Sequence, residues 1–154
     1  MASFSWPLSL PASGGTGGTA QQTQVQIQLD RKLGTDIFFN GDYVVSDAGD
    51  YLLVSGIENL KASIYRRLIT RPGEYVFVPE YGVGIQDFVK KPKTLPVIDQ
   101  LKARIQSNLL RDIRIQAVED IEVQNTDNSL TIILKIQAEG RTLLFRPFTF
   151  TEAG

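Results

Sequence analysis

The sequence of 154 residues contains no cysteine and no histidine. Without cysteine the chain can form no disulfide bond and no thiolate metal site. Without histidine it can form neither a Ser-His-Asp nor a Cys-His catalytic centre, and it has no histidine metal ligand and no histidine pH switch. These two absences exclude common routes to nucleophilic and metal catalysis, and we expect neither a metal nor another cofactor.

Long hydrophobic runs are missing as well. No apolar stretch approaches the ~18 residues that a membrane-spanning helix needs. The N-terminus lacks the charged segment and following apolar stretch that are typical of a secretory signal. We therefore expect synthesis in the cytoplasm and no membrane partner. The apolar content of 42% can support a hydrophobic core, and the length predicts one main domain.

Charge is unevenly distributed along the chain. Residues 61–114 hold 11 Lys/Arg and 5 Asp/Glu, whereas residues 1–60 hold 2 and 6, and residues 115–154 hold 3 and 6. A basic middle between acidic flanks indicates a partner of complementary charge, although solvated helix faces explain it equally well. A nucleic-acid-binding module that uses residues 61–114 is the alternative function, but no recognised groove-reading motif accompanies the basic residues.

The first residues read as a tail. Residues 1–24 are rich in Gly, Ser, Thr and Gln, and such a composition buries too little apolar surface to offset its ordering entropy. Phe4 and Trp6 begin an alternation of apolar residues that is typical of an extended segment lying on a surface. We expect 1–24 to be a flexible or extended N-terminal arm that binds a neighbouring subunit through 3–11; a disordered tail with incidental aromatics is the alternative.

Residues 25–154 are expected to form a single wedge-like domain of the α+β class. Apolar residues alternate with glutamines over 25–29, which predicts a strand or an extended arm. Asn40-Gly41 predicts a tight turn within a hairpin that continues through a second turn to residue 54.

The stretch 55–89 carries local signals that agree with one another. Apolar residues at spacings of three and four predict an amphipathic helix from Ser55 to Thr70, and Pro72 ends it. Residues 75–78 suit a strand, and 85–89 predict one further helical turn.

The second half predicts another helix followed by a sheet. Thr94 is a suitable cap for an amphipathic helix that runs to Leu109. Residues 115–123, 130–138 and 142–150 predict three strands, and their short connections favour an antiparallel meander. Pro147 belongs at a sheet edge or past a bulge. The expected fold is two amphipathic helices packed on this small antiparallel sheet, with an extended N-terminal arm.

Four short motifs follow one another after the hairpin. They are the helix end Leu68-Ile69-Thr70, the charged turn Gly73-Glu74, the aromatic–glycine pair Tyr81-Gly82 and the acid–arginine corner Asp112-Ile113-Arg114. In this order, over roughly residues 36–138, the chain resembles the small baseplate wedge protein family of contractile phage tails and related injection systems. The corner keeps an acid and the arginine of that family's Glu-Pro-Arg-like motif but lacks its proline.

The resemblance implies a structural protein of the inner baseplate, which surrounds the tail-tube hub with six-fold symmetry. Such a protein links wedge proteins and provides the docking site from which the contractile sheath assembles, by strand addition between chains. The implied partners are other wedge proteins, the tail sheath protein and hub or tube proteins. The implied location is a virion tail baseplate or a cytoplasmic injection-system baseplate. The accepting edge would be the strand at 142–150 or the segment at 25–29.

Six residues are the candidate protein-binding residues: Asp112, Arg114, Glu74, Tyr81, Phe4 and Trp6. The resemblance implies that Asp112 and Arg114 stabilise or present the interface; the alternative is an intramolecular ion pair at a helix–strand junction.

No enzyme activity and no catalytic residue are expected. Glu74 and Glu80 could imitate the two carboxylates of a glycosidase, but two glutamates six residues apart are common in a turn-rich segment. We expect Glu74 to pair with a nearby arginine instead.

Overall fold

The computed structural model describes residues 20–39, 42–126 and 128–151, and it confirms the α+β class. Among the described residues the elements are α1 (Ala20–Leu33), β1 (Thr35–Ile37), β2 (Leu53–Ser55), α2 (Gly56–Ile69), α3 (Ile85–Val89), α4 (Leu95–Leu109), β3 (Ile115–Thr126), β4 (Ser129–Ala138) and β5 (Arg141–Thr151). The described chain divides into two compact units, 20–62 and 63–151, and the division falls within α2.

The strand predicted at 25–29 is wrong, because these residues lie in α1. Leu29 and Leu33 are 5% and 1% exposed, and their spacing of four places them on one helical face. Glutamine and leucine both favour helices, and Ile27, two residues before Leu29, is 43% exposed, so the alternation does not mark one buried face. Residues 20–24 of the predicted arm begin the same helix, and residues 1–19 lie outside the described chain.

The end of α1 is held by polar contacts with the start of α2. Asn59 Nδ2 donates to the Leu33 carbonyl at 3.1 Å, which satisfies a carbonyl that the helix leaves unpaired. Gly56 has a φ of +63°, and a Cβ there would lie 2.0 Å from Asp30 Oδ1. Glycine suits this junction, because other residues are strained at this φ and an added Cβ would displace the Asp30 side chain.

The predicted hairpin is present, and its longest paired stretch is formed by β1 and β2, the strands at which it begins and ends. β1 and β2 are antiparallel, from Thr35 opposite Ser55 to Ile37 opposite Leu53. Two isolated bridges, Phe39 with Tyr43 and Val45 with Tyr51, extend the pairing inward. The amide of Ser46 donates to the Asp50 carbonyl at 2.7 Å, which closes the second predicted turn. The first turn, at 40–41, lies outside the described residues.

The three strands predicted in the second half are confirmed as an antiparallel sheet in the order β3-β4-β5. Alternate residues of the central strand supply its buried face: Leu130, Ile132, Leu134, Ile136 and Ala138, each at most 2% exposed. Burying a large aliphatic side chain of this kind contributes about 2 kcal/mol.

Both predicted long helices contact this sheet. α4 packs on β3, and Tyr65 of α2 stacks on Phe150 of β5 with ring centroids 6.1 Å apart. The helix stripe residues Leu68, Ile105 and Leu109 are fully buried. The single apolar stripe on each helix therefore meets the surface that it requires.

The position of Pro147 agrees with its chemistry. Within the described residues β5 pairs with β4 alone, so it is an edge strand. Ile132 pairs with Phe148 and Leu134 with Phe145, which leaves two residues of β5 opposite one of β4. The proline lies in this bulge, where its missing N–H breaks no ladder.

Candidate protein-binding surface

The acid–arginine corner joins the end of α4 to the start of β3. The amide of Asp112 donates to the Leu109 carbonyl at 3.0 Å, and the Asp112 carbonyl accepts the amide of Ile115 at 2.9 Å. The Asp112 side chain accepts Arg114 Nε on Oδ1 at 2.8 Å and Arg114 Nη2 on Oδ2 at 2.6 Å. This bidentate geometry is the strong form of an arginine–carboxylate pair. The corner residues therefore form an intramolecular ion pair.

Two side chains of α2 complete the network. Arg114 Nη2 donates to Ser63 Oγ at 2.8 Å, and Arg67 Nη2 lies 3.6 Å from Asp112 Oδ2. Ser63 and Arg67 are four residues apart, so one face of the helix presents both. Arg67 Nη1 also donates to the carbonyl of Asn108 in α4 at 3.2 Å. The network thus fixes α2 against the junction of α4 and β3.

Electrostatics keeps Asp112 ionised although the residue is only 6% exposed. Burial by itself raises the pKa of Asp112, but the hydrogen bonds from Arg114 and the charges of Arg114 and Arg67 outweigh it, and the net pKa is below the usual value. One carboxylate consequently lies between two guanidinium groups. Arg67 Nε is buried without a hydrogen-bond partner among the described residues.

The strand predicted at 75–78 is wrong, because the segment folds into a closed loop. The amide of Gly73 donates to the Pro79 carbonyl at 2.8 Å, and the amide of Arg71 donates to Glu74 Oε2 at 2.9 Å. A strand requires a neighbour to satisfy its amides and carbonyls, and here the chain satisfies several of them locally. Glu74 thus pairs with the backbone of an arginine rather than with a guanidinium group.

The loop presents apolar side chains to solvent. Val76 is 85% exposed and Phe77 is 96% exposed. The Tyr75 ring packs against the Tyr81 ring with centroids 5.2 Å apart. The closed backbone and this ring contact restrain the loop that carries the exposed pair, which lowers the backbone entropy that would be lost on binding a partner.

Three contacts connect the loop with the corner. Arg111 Nη1 lies 3.5 Å from Glu80 Oε2, and the guanidinium carbon of Arg67 lies 4.8 Å from the centroid of the Tyr81 ring. Asn108 Oδ1 accepts the amide of Gly82 at 2.9 Å. We name residues 71–82 and 108–114 the corner–loop surface.

The corner–loop surface combines exposed apolar groups with a buried polar support. Ile113, between the two partners of the ion pair, is 99% exposed. Burial raises the pKa of Tyr81 above its usual value, even though the nearby Arg67 opposes the shift. Exposed apolar side chains held together by a fixed framework are typical of protein interaction sites.

The structure brings together four of the six candidate residues, namely Asp112, Arg114, Glu74 and Tyr81, on the corner–loop surface. Phe4 and Trp6 lie outside the described residues. The sequence interpretation missed Ser63, Arg67 and the exposed Val76-Phe77 pair. The spacing of Ser63 and Arg67, and the apolar run between Pro72 and Pro79, were the available signals.

Both glutamates of the suggested glycosidase pair contact groups of the protein itself. Glu74 holds the Arg71 amide and Glu80 lies beside Arg111, so both carboxylates support the loop. In the part of the chain that the structure describes, no three acidic side chains group in a way that could hold a metal ion. None of the described helices has the length and apolar character needed to cross a bilayer.

Exposed apolar side chains and an edge strand are features typical of proteins that bind other chains. Residues 26–142 match the family model of the contractile injection system sheath initiator. The chain belongs to this family, and its role in the baseplate is structural. The resemblance inferred from the motifs is thereby confirmed.

The solved structures that are similar to the chain include the following two. The baseplate of the anti-feeding prophage contains a chain with a TM-score of 0.56 and 22% identity, and the match covers 80% of this chain and 90% of that one. A putative tail lysozyme from Geobacter sulfurreducens has a TM-score of 0.49 and 22% identity, with 72% and 98% covered. At this identity the likeness to the prophage chain shows the fold alone. The search of curated proteins found no match.

Proposed function

We propose that the protein is part of the inner baseplate of a contractile tail or injection system, in a virion or in a cytoplasmic baseplate. There it links wedge proteins around the hub or tube and begins sheath assembly by accepting an extended strand from a sheath subunit. The observation that carries the proposal is an edge strand, β5, without a second partner among the described residues of a sheath initiator.

Chemistry favours β5 as the accepting edge. An unpaired edge offers amides and carbonyls to an incoming strand. The bulge at Pro147 leaves two regular runs, 141–145 and 148–151. The opposite edge, β3, is less suitable, because it combines two register shifts with the exposed acids Asp120 and Glu122, whereas β5 has one register shift. Bulges and edge charges are ordinary protections against strand addition. The other edge considered, residues 25–29, is helical.

The corner–loop surface is the proposed contact with wedge proteins. Phe77 and Ile113 are the most exposed apolar side chains on it, and such residues become binding anchors when a partner pocket encloses them. The conformation of this surface is stabilised by four of the candidate residues: Asp112, Arg114, Glu74 and Tyr81. Phe4 and Trp6 are proposed to bind a neighbouring subunit.

The nucleic-acid alternative is less well supported. Several cations of the basic middle already lie beside carboxylates, including Arg71 at 3.2 Å from Asp87 and Arg111 at 3.5 Å from Glu80. A paired cation contributes less to phosphate binding than an unpaired one, because its own counterion competes. DNA binding by the purified protein at low salt would revive this function.

Hydrogen–deuterium exchange tests the strand addition without altering the chain. The outward amides of 141–145 should exchange quickly in the free protein and become protected when sheath protein is added to assembled baseplates. Amides of β4, which pair on both sides, serve as the internal reference. Equal exchange of 141–145 with and without sheath would refute acceptance of a strand at this edge.

Substitution of the protrusion tests the wedge contact. Phe77→Ser should leave the fold intact, since the side chain is 96% exposed, but should prevent incorporation into baseplates. Ile27→Ser, at a 43% exposed position on α1, is the matched control and should be incorporated normally. Normal incorporation of Phe77→Ser would remove the loop from the interface.

A further inference from the structure

The hairpin formed by β1, β2 and the residues between them has an uncovered apolar face. Val45 lies opposite Tyr51, and side chains two residues apart on a strand share a face. Tyr43, Val45, Tyr51 and Leu53 therefore lie on one side, and they are 57%, 53%, 57% and 64% exposed. The rings of Tyr43 and Tyr51 meet edge to face at 5.8 Å. We name these four residues the hairpin face.

The opposite side of the hairpin carries a buried aromatic side chain. Phe38, which points to that side, is only 6% exposed. Val44, on the same side as Phe38, is 37% exposed, so this side is covered in part, whereas the hairpin face is presented to solvent. Four large apolar side chains on a paired backbone form a contiguous surface of the kind that marks an interaction site.

The negative charge around the hairpin face indicates which kind of partner could bind to it. Asp42, Asp47 and Asp50 are exposed around the hairpin face, and residues 35–54 contain no lysine and no arginine. A partner with an apolar centre and positive charges beside it would be attracted, whereas an acidic partner would be repelled.

The same chain carries such a surface at the start of α4. Residues 90–96 contain Lys90 and Lys91, which are exposed, and Leu95, which is 76% exposed. The Nζ of Lys91 lies 4.4 Å from the centroid of the Phe88 ring, which restrains this cation. No acidic residue occurs between positions 88 and 98.

The segment 90–96 is also prepared for binding by its backbone. Pro92 and Pro96 fix two φ angles, and Thr94 is extended, with φ −86° and ψ 153°, directly before the helix. A segment with few free torsions loses little entropy when it docks. It therefore offers an apolar side chain and adjacent cations in a restrained arrangement.

We propose that the hairpin face of one copy binds the segment 90–96 of a second copy. Leu95 packs on the tyrosine pair, while Lys90 and Lys91 approach the aspartate rim. Because two different surfaces meet, each bound copy still offers one surface of each kind, and repetition generates a ring or a filament rather than a closed two-fold dimer. The contact requires no other baseplate protein, so its failure would leave the proposed function untouched.

Sedimentation of the purified full chain tests the contact. The wild type should associate as its concentration rises at about 0.1 M salt and should dissociate at about 1 M, over which the Debye length falls from about 10 Å to about 3 Å. The variant Asp47→Lys with Asp50→Lys should be monomeric, and so should the variant Lys90→Glu with Lys91→Glu. Circular dichroism establishes that both variants are folded.

Mixing the two variants provides the decisive measurement. The hairpin of the first variant is then positive and meets the negative segment 90–96 of the second. The negative hairpin of the second variant likewise meets the positive segment of the first. An equimolar mixture should therefore regain association. Asp120→Lys with Glu122→Lys makes the same change in net charge on β3 and should associate like the wild type. A wild type that is monomeric at every salt concentration overturns the proposal. A mixture of the two variants that stays monomeric also overturns it. The same holds if the charge reversal at Asp47 and Asp50 weakens association no more than the charge reversal on β3.

Discussion

Replacing Asp112 with asparagine removes the charge at the centre of the corner while keeping its shape. In the wild type, this carboxylate accepts Arg114 Nε at 2.8 Å and Arg114 Nη2 at 2.6 Å, and Arg67 Nη2 lies 3.6 Å away. The asparagine amide can accept at one atom only, and its NH2 group would face a guanidinium donor. Two cations would then remain beside a neutral group.

The expected loss of unfolding free energy at pH 7 is about 3 kcal/mol. Removing one partner of a buried ion pair typically costs about 3–5 kcal/mol. The lower end applies because the Arg114 side chain is 20% exposed and can recover some hydration. Asp87→Asn is the matched control: its pair with Arg71 is about half exposed on both sides, so its removal should cost less than about 1 kcal/mol.

The pH dependence identifies the cause. The folded-state pKa of Asp112 is lowered, so its stabilisation is fully present above the unfolded-state pKa of about 3.9 and is lost as the pH falls through the folded-state pKa. The difference between wild type and Asp112→Asn should shrink over that interval, because a protonated Asp112 is also neutral. Urea unfolding followed by circular dichroism at several pH values measures it. A variant as stable as the wild type at pH 7, or a difference independent of pH, would refute the reasoning.

Three further substitutions test other parts of the structure. Gly82→Ala should destabilise the protein by at least about 1 kcal/mol in urea unfolding, because φ is +104° and the new Cβ would lie 2.3 Å from the Thr70 carbonyl oxygen; an unchanged midpoint would contradict this. Ile132→Ala, at a fully buried position, should lower the unfolding free energy by about 2–5 kcal/mol; a loss below about 1 kcal/mol would mean that the core collapses around the site. Glu74→Gln and Glu80→Gln should leave any lytic activity unchanged, and a large drop in hydrolysis would restore the enzyme hypothesis.

Local sequence patterns predicted an element correctly wherever the period of its apolar residues matched a helix or a strand over its whole length. The helix expected from Ser55 to Thr70 is α2, and the helix expected after Thr94 is α4. The three strands of the main sheet lie where alternation placed them. In each case burial follows the periodicity, because one face of the element meets the core. The segment 25–29 failed this test, since five alternating residues are too few to separate a strand from a helix.

The loop at 75–78 shows a different kind of failure. Its residues favour strands, and this preference is real only when a neighbouring strand completes the backbone hydrogen bonds. Here the amide of Gly73 reaches the Pro79 carbonyl instead. The sequence shows the flanking prolines but not whether a neighbouring strand pairs with residues 75–78. The exposure of Phe77 therefore could not be predicted from the sequence pattern.

The sequence alone determined the elements of the main sheet, its two long helices, the absence of cysteine and histidine chemistry, and the order of motifs that indicated the family. These depend on residues close together in the chain. Only the tertiary structure decided that Ser63 and Arg67 join Asp112 and Arg114, and that β5 rather than 25–29 offers a strand edge. Hydrogen bonds and burial between segments some fifty residues apart arise from packing, which local propensities do not encode.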